Sequence, residues 1–302
     1  MISPSHPSTD LAGDQSLPAA SAMRNQTQDL LHLPDDVRAY LAALQNALLS
    51  ALGTDQVLQI FLIGSASYQG GYTHGQSDLD VTVVTRSRLD EPAVCRVPRF
   101  CSHTVLPCPA QKLELVVYAF EAVHLERTAL PYDILLNYNT GRAQPRDHVR
   151  YGNNPDDSPH WFILDIAASH ANNLPLLLGP AFSEIFTPPP SRQQVLEALQ
   201  VSLQWHIEHE ATSSNAVLNA CRGWRWASQG VFGSKLEGAQ YAVPRLGGGG
   251  LRAVQTAVRL RTGARSEEQI EPRSAEALYA LIASELKHAL QADAVPLNNP
   301  RT

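Results

Sequence analysis

The sequence predicts an α+β N-terminal domain, in which helices accompany a mixed sheet, followed by an all-α helical bundle. Three observations predict this class: strand-length apolar runs in the first half, a proline-rich break, and helical periodicity after it. The chain has 302 residues, enough for two modest domains with buried cores. We place a tail at residues 1–27, the first domain at 28–187 and the helical domain at 191–295.

Composition and charge exclude several classes of protein. Residues 1–27 are rich in Ser, Pro, Ala and Asp, which is typical of disorder. The formal net charge of −6 gives no overall basic footprint for nucleic acid. No apolar run approaches the roughly 20 residues that span a bilayer, and no signal-peptide pattern is seen, so we expect a cytoplasmic protein. The irregular spacing of Cys95, Cys101 and Cys108 favours free thiols over a zinc site.

The first domain is predicted to contain a helix, three strands and a second helix. These elements lie at residues 33–53, 57–63, 78–84, 112–120 and 161–172. The first helix has apolar residues at helical spacing, a proline for its first turn and a glycine at its end. The first strand is a continuous apolar run, typical of burial on both faces, whereas the other two strands alternate.

Helices are predicted throughout the second domain. The proline run within Thr187–Ser191 cannot continue a helix and marks the domain boundary. Capping boxes that begin at Ser191 and Ser234, and the stop at Gly230, delimit the next helices. The run Gly247–Gly250 is predicted to be a loop. Further helices are expected at residues 215–229, 251–261 and 274–290.

The stretch from Ile60 to Val84 carries the candidate chemistry. Asp78 and Asp80 are two residues apart on a strand, so their carboxylates point to the same side. Two like charges this close repel unless a cation lies between them, and carboxylate oxygens suit Mg²⁺. Glu114, on the polar side of a separate strand, can supply a third carboxylate. Three such groups can hold two metal ions for phosphoryl or nucleotidyl transfer.

A Gly64-Ser65 turn directly follows the first strand. Glycine lets the backbone approach a phosphate, and backbone N–H groups and the serine hydroxyl can donate hydrogen bonds to its oxygens. An ordinary turn followed by solvated aspartates is the alternative, which the later strand carboxylate disfavours. The sequence has no Walker-type Gly-Lys-Ser/Thr loop and no G-x-G-x-x-G after a strand, which argues against P-loop and Rossmann proteins.

The pattern G-S-x12-D-x-D between apolar strands resembles the signature of the DNA polymerase β-type nucleotidyltransferase superfamily. Three later segments are similar in order and spacing to the streptomycin/spectinomycin aminoglycoside adenylyltransferases. They read LELVVY, NNLPLLLGPAFSEIF and AVLNACRGWRWASQGVFGSKLEGAQYA. The resemblance extends from about Leu52 to Leu290. It implies a nucleotidyltransferase domain and a C-terminal helical domain, with ATP and substrate in the cleft between them.

The resemblance implies roles for residues of the first domain. Asp78 and Asp80 match the metal-binding pair, and Glu114 matches the catalytic base. Ser65, after Gly64, matches the phosphate-contacting serine. For an aromatic residue that the family has on its substrate wall, Tyr138 and Trp161 are the candidates.

Arg222 and Lys235 match basic residues that reach the nucleotide phosphates from the helical domain. Lys235 has independent support, because it follows Ser234 at a predicted helix start and is one of only three lysines in the chain, against twenty arginines. An ion pair within the bundle for Arg222 and an exposed first turn for Lys235 are the alternatives. Asp165 is expected at a solvated helix position, with recognition of a cationic amine as the alternative.

The expected activity is transfer of AMP from ATP, with two Mg²⁺ ions, to a hydroxyl group of a small molecule. The resemblance makes an aminoglycoside the candidate acceptor and antibiotic resistance the candidate role. A nucleotidyltransferase that acts on a protein or RNA acceptor is one alternative, although no basic stripe for RNA is visible. A non-catalytic nucleotide-binding protein is the other, and the joint presence of Ser65, Asp78, Asp80 and Glu114 disfavours it.

Overall fold

The computed structural model describes residues 30–123, 134–152, 160–263 and 268–294, and the tail predicted at 1–27 lies outside them. Six strands form one sheet within these residues: β1 (Val57–Ile63), β2 (Leu79–Thr85), β3 (Leu113–Ala119), β4 (Ile134–Gly141), β5 (Gln144–Tyr151) and β6 (Leu174–Pro175). Their order across the sheet is β5-β4-β3-β2-β1-β6. Strands β2 and β3 are parallel, and the other neighbouring pairs are antiparallel, so the predicted mixed sheet is confirmed.

Helices surround the sheet and form the second domain. In the first domain they are α1 (Asp35–Leu52), α2 (Glu91–Val94), α3 (Val97–Cys101), α4 (Phe120–Val123), α5 (His160–Ser169) and α6 (Phe182–Ile185). In the second domain they are α7 (Arg192–Glu210), α8 (Ser214–Gln229), α9 (Lys235–Ala242), α10 (Gly248–Arg261) and α11 (Pro272–Ala294). Across the described ranges, none of the helices has the combination of length and hydropathy that a membrane span needs.

The first helix covers one face of the sheet. In α1, the apolar residues Val37, Leu41, Leu44 and Leu48 are at most 1% exposed and share one core with inward-facing residues of β1, β2 and β3. Gly53 ends the helix with a φ of +97°, which favours glycine. All seven residues of β1 are buried, as the continuous apolar run predicts. The first helix and strand therefore form where the sequence places them.

Helix α5 lies between the two domains. Phe162 and Ile166 join the apolar cluster on the second face of the sheet, together with aromatic residues of β1, β3 and α6. Ile163, Leu164 and Ala168 of the same helix belong to the core of the helical domain. Because α5 buries residues in both cores, it fixes the helical domain against the end of the sheet.

The start and stop signals of the helical domain are confirmed. The side chains of Ser191 and Ser234 each cap a helix, with Gln194 and Glu237 completing the two capping boxes. Gly230 ends α8 in the left-handed conformation, with a φ of +68°. Lys235 is consequently the first residue of α9, at the helix start that the sequence predicts.

Besides the end of α11, which lies at Ala294 instead of near residue 290, two predicted boundaries are wrong. The first is the loop predicted at Gly247–Gly250, because α10 begins at Gly248. A Cβ on Gly249 would lie 3.3 Å from the Cα of Ser274 in α11, so the missing side chains let the two helices pack closely, and this contact outweighs the low helix propensity of glycine. The second is the end of α5, which lies at Ser169 instead of near residue 172.

Candidate active site

A glycine turn places the first carboxylate of the site. After β1 ends at Ile63, residues Gly64–Ser67 form a single 3₁₀ turn. Gly64 has a φ of +65°, and a Cβ built on it would lie 1.9 Å from Oδ2 of Asp80. Ile63 pairs with Asp80 in antiparallel register, so the turn and the carboxylate lie side by side. Glycine is therefore required here both by the backbone conformation and by the space that Asp80 occupies.

The three carboxylates singled out in the sequence meet at one end of the sheet. Asp78 directly precedes β2, Asp80 is the second residue of β2, and the register partner of Asp80 on β3 is Glu114. Burial, together with the charge of Glu114, raises the pKa of Asp78 above its usual range. Burial and the surrounding carboxylates raise the pKa of Asp80 well above its usual range. The cluster therefore has more negative charge than its surroundings neutralise.

These side chains, as they stand, do not enclose a metal ion. In the part of the chain that the structure describes, no three His, Cys, Asp or Glu side chains are placed to hold one. Asp78 and Asp80 nevertheless suit Mg²⁺, which is usually bound through one or two carboxylates together with phosphate oxygens of a substrate. Burial first, and neighbouring carboxylates second, raise the pKa of both groups, and a bound divalent cation would stabilise their charged forms. The donor set fits a metal that arrives with a nucleotide.

A lysine already lies among the carboxylates. Nζ of Lys112, the residue before β3, forms an ion pair with Oε1 of Glu114. The same Nζ lies 3.7 Å from Oδ2 of Asp78. Lys112 is not among the site residues predicted from the sequence, although its position two residues before Glu114 places both side chains on the same face of the strand.

The helical domain faces the carboxylates with three basic side chains. Lys235 donates a hydrogen bond from Nζ to Oδ1 of Asn215, at 2.6 Å. Burial and the nearby guanidinium groups of Arg261 and Arg222 lower the pKa of Lys235 to about 8, against the opposing effect of the two aspartates. Burial also lowers the pKa of Arg261, which Asp78 opposes. The predicted Arg222 and Lys235 are thus joined by Arg261, which the sequence analysis misses.

These three basic residues differ from several others in the same domain. Four arginines are in ion pairs: Arg192–Asp293, Arg225–Glu237, Arg252–Glu271 and Arg259–Glu268. Among the described residues, by contrast, no carboxylate lies within 4.0 Å of Arg222, Lys235 or Arg261. The guanidinium carbon of Arg222 lies instead 5.6 Å from the ring centroid of Phe232. Partly buried cations without a carboxylate partner, beside a cleft, are suited to an anionic ligand.

Asp165 of α5 is a fourth carboxylate at the site. It is accessible to solvent, as its helix position predicts, but it also lines a small cavity with Asp80, Thr82 and Glu114. Desolvation of the carboxyl group, followed by the charge of Glu114, raises the pKa of Asp165 to about 7. The charge of Arg222 acts in the opposite direction. Asp165 therefore faces the same space as the predicted catalytic carboxylates.

Aromatic rings and a hydrogen-bond chain extend the site along the contact between the domains. Trp161 of α5 meets the rings of Trp205 and His206 of α7 edge to face, with centroids 5.3 and 5.5 Å apart. The Nδ1 atom of His206 is 2.6 Å from Oε1 of Glu210. Asn215 donates to that same carboxylate oxygen at 2.9 Å and accepts the hydrogen bond from the lysine of α9. A continuous polar chain thus joins the basic cluster to this aromatic wall.

The other sequence candidates have structural roles. Tyr138 is fully buried and donates a hydrogen bond to Oδ2 of Asp147 at 2.6 Å, so Trp161 is the candidate that lies at the contact between the domains. Trp224 and Trp226 are 5% and 8% exposed and pack in the core of the helical domain. All four cysteines are free thiols, as the spacing predicts.

Comparisons with known proteins bear on the helical domain and on the fold. Residues 184–285 match the family model of the aminoglycoside adenylyltransferase C-terminal domain. The spectinomycin adenyltransferase AAD(9) from Enterococcus faecialis, solved with ATP and spectinomycin, superposes with a TM-score of 0.61 at 14% identity, over 83% of this chain and 99% of that one. A putative nucleotidyltransferase from H. pylori aligns at 10% identity over 87% of this chain and 100% of that chain, with a TM-score of only 0.20.

No curated protein sequence matches the chain. The structural likeness to AAD(9) establishes the fold, and the family match assigns the helical domain. The resemblance seen in the sequence is therefore confirmed in the helical domain and in the fold: residues 184–285 match an aminoglycoside adenylyltransferase C-terminal domain, and the chain shares the fold of AAD(9).

Proposed function

We propose that the protein transfers AMP from Mg-ATP to a hydroxyl group of a small cationic molecule, an aminoglycoside or a related amino-sugar compound. One observation carries the proposal: the carboxylates of the first domain and the cations of the second face each other without forming ion pairs within 4.0 Å. A metal-bound triphosphate would satisfy both sets of charges, because its metal ion would bind the carboxylates and its phosphate oxygens would accept hydrogen bonds from the basic side chains.

The triphosphate would lie between the turn after β1 and the helical domain. The Ser65 hydroxyl makes no hydrogen bond to another described residue, so it is free to donate to a phosphate oxygen. Arg222, Lys235 and Arg261 would bind the phosphates from the opposite side. Charge-assisted hydrogen bonds of this kind are roughly twice as strong as neutral ones.

Asp78 and Asp80 would hold Mg²⁺ together with the phosphates. When bound, Mg²⁺ supplies charge neutralisation at the reacting phosphate and at the departing pyrophosphate. Gly64 keeps the space that the Asp80 carboxylate needs for this role. We propose two metal ions, because Glu114 is the cross-strand neighbour of Asp80 and could contact the second ion.

Glu114 would take the proton from the acceptor hydroxyl. It is the cross-strand neighbour of Asp80, its side chain is 40% exposed, and it opens onto the cavity that Asp165 also lines. The acceptor oxygen then bonds to the α-phosphorus, the bond from that phosphorus to the pyrophosphate oxygen breaks, and the basic side chains hold the pyrophosphate.

Acidic and aromatic side chains around the cleft support a cationic acceptor. Asp165 lies beside the proposed base. Glu210 contacts His206, whose ring in turn meets the rings of Trp161 and Trp205. Carboxylates attract the ammonium groups of an amino sugar, and indole rings stack on sugars and cations. Adenylylation of an aminoglycoside would confer resistance to it, in the cytoplasm where ATP and Mg²⁺ are present.

The test is pyrophosphate release with each nucleoside triphosphate, Mg²⁺ and a panel of aminoglycosides and other hydroxylated amines. We expect release that requires both ATP and an acceptor, with an AMP adduct of that acceptor detected by mass spectrometry. Glu114→Gln is the matched control for contaminating activity. Absence of acceptor-dependent release across the panel would contradict the proposal.

A further inference from the structure

Lys112 has an unusual position for a lysine in this chain. The chain has three lysines and twenty arginines, yet Lys112 and Lys235 both lie at the carboxylate cluster, and only Lys287 does not. Lys112 belongs to the sheet that holds the carboxylates, whereas the other cations near the site come from the helical domain. It is therefore present at the cluster whether or not a nucleotide lies between the domains.

The contacts of Lys112 are those of a counter-ion. Its Nζ atom pairs with Oε1 of Glu114 and lies 3.7 Å from Oδ2 of Asp78, so one ammonium group serves two carboxylates on neighbouring strands. The side chains of Lys112 and Asp78 are 28% and 35% exposed, so solvent screens the interaction only in part. A compact ammonium on a flexible stem contacts two carboxylates as a point charge, whereas a planar guanidinium contacts them through a fixed fork of donors.

A metal ion and Lys112 would compete for the same oxygens. Asp78 is a proposed Mg²⁺ ligand, and Glu114 is the proposed base. While the ammonium contacts Asp78, that carboxylate is partly neutralised and attracts a divalent cation less strongly. Asp80 has no ion pair with Lys112 within 4.0 Å, so the ammonium does not compete directly for its oxygens.

We infer that Lys112 is the resident counter-ion of the carboxylate cluster: it holds Glu114 and Asp78 together in the metal-free protein and lowers the affinity of the site for a free divalent cation. This inference rests on the proposed function for the identity of the metal ligands. Metal binding is then coupled to nucleotide binding, because the phosphates supply the ligands and charge that displace the ammonium from Asp78. Lys112 acts through Asp78 and Glu114 and is a positioning residue.

The test compares the parent protein with Lys112→Met, which keeps the length of the side chain and removes its charge. Lys287→Met, on an exposed part of α11, is the matched control for the loss of a lysine. Thermal unfolding is measured in EDTA and in excess Mg²⁺, and the affinity for Mg²⁺ alone is measured by calorimetry. Lys112→Arg tests whether charge without the compact shape restores the parent behaviour.

For Lys112→Met we expect the Tm in EDTA to fall by about 2–4 °C, since two carboxylates lose their shared cation. Excess Mg²⁺ should remove most of this difference. The dissociation constant for Mg²⁺ alone should fall by about threefold to tenfold, a range that allows for solvent screening. Lys287→Met should change neither quantity.

An unchanged Tm in EDTA, or a Mg²⁺ affinity that is unchanged or weaker in Lys112→Met, would overturn the inference. These measurements use no acceptor and no turnover, so they separate this inference from the proposed function. If Lys112→Met behaves as expected but the parent protein modifies no acceptor, the counter-ion role stands and the proposed reaction fails.

Discussion

The turn at Gly64 gives the sharpest test of how the fold places Asp80, a proposed metal-binding carboxylate. In Gly64→Ala, the new Cβ would lie 1.9 Å from Oδ2 of Asp80, whereas ordinary contacts begin near 3.4 Å. The carboxylate therefore has to move by about 1.5 Å, away from the position that its register with Ile63 gives it. A misplacement of about 1 Å at a reacting centre can reduce the rate roughly 100-fold.

The same substitution has a second cost that must be separated from the first. Alanine at a φ of +65° occupies the left-handed region, which costs about 1–2 kcal/mol. For a domain of this size, that is a fall in Tm of roughly 2–8 °C. Gly70→Ala is the matched control, because Gly70 has a φ of +74° and a Cβ there would meet nothing within 4 Å. It has the same backbone strain and no clash with Asp80.

We expect both variants to lose similar stability and only Gly64→Ala to lose activity. The assay is acceptor-dependent pyrophosphate release at saturating Mg-ATP, well below the Tm of each variant. For Gly64→Ala, kcat should fall at least about 100-fold, and for Gly70→Ala by less than about threefold. Similar turnover in the two variants would refute the argument that glycine is needed to make room for Asp80.

Three further predictions address the base, the phosphate contacts and the charge of the cleft. Glu114→Gln should reduce kcat by about 10²- to 10⁴-fold, whereas its affinity for a non-hydrolysable ATP analogue, measured by calorimetry, should stay near that of the parent protein. If binding and turnover fell together, Glu114 would be a metal or nucleotide ligand and not the base. Arg261→Gln should weaken tripolyphosphate binding roughly 10- to 150-fold and leave AMP binding nearly unchanged. The control is Arg252→Gln, which removes an ion-paired arginine and should leave both affinities nearly unchanged. Equal effects of the two substitutions on tripolyphosphate binding would contradict the assignment of Arg261 to the phosphates. Because the folded-state pKa of Asp165 is raised to about 7, the folded protein loses stability as its carboxyl ionises. Asp165→Asn should therefore raise the Tm at pH 8, and this gain should shrink between about pH 7 and pH 4 in thermal scans; a gain that is constant with pH would argue against the raised pKa.

Local patterns predict the parts of the site that lie on one stretch of chain. The period of two along β2 places Asp78 and Asp80 on one side, and the Gly64-Ser65 turn immediately precedes the loop that returns to them. The approach of Glu114 depends on the parallel pairing of β2 with β3, which is a long-range contact. The sequence predicts the strand and the polar side of Glu114 and offers it as a third carboxylate, but only the pairing of the two strands places it beside Asp80.

The helical domain illustrates where local signals are insufficient. Arg259 and Arg261 lie two residues apart near the end of α10, and nothing in the sequence distinguishes them. In the structure, Arg259 forms an ion pair with Glu268, whereas Arg261 faces the carboxylate cluster. Their different roles follow from the packing of α10 against α11, which in turn depends on the glycines that the sequence analysis assigns to a loop.

Charge explains why the two domains should work as one unit. The end of the sheet concentrates carboxylates that Lys112 neutralises only in part, and the helical domain presents three cations that find no carboxylate within 4.0 Å among the described residues. The carboxylates repel one another, and so do the three cations, so each set of like charges raises the free energy of the folded protein. Direct ion pairs between the carboxylates and the cations would relieve this repulsion, but they would also occupy the groups that are proposed to bind the ligand. Helix α5 packs into both cores, and in this arrangement the carboxylates and the three cations form no ion pairs with each other within 4.0 Å. Their opposing fields therefore remain available for a ligand that carries both signs of charge, as a metal-bound triphosphate does.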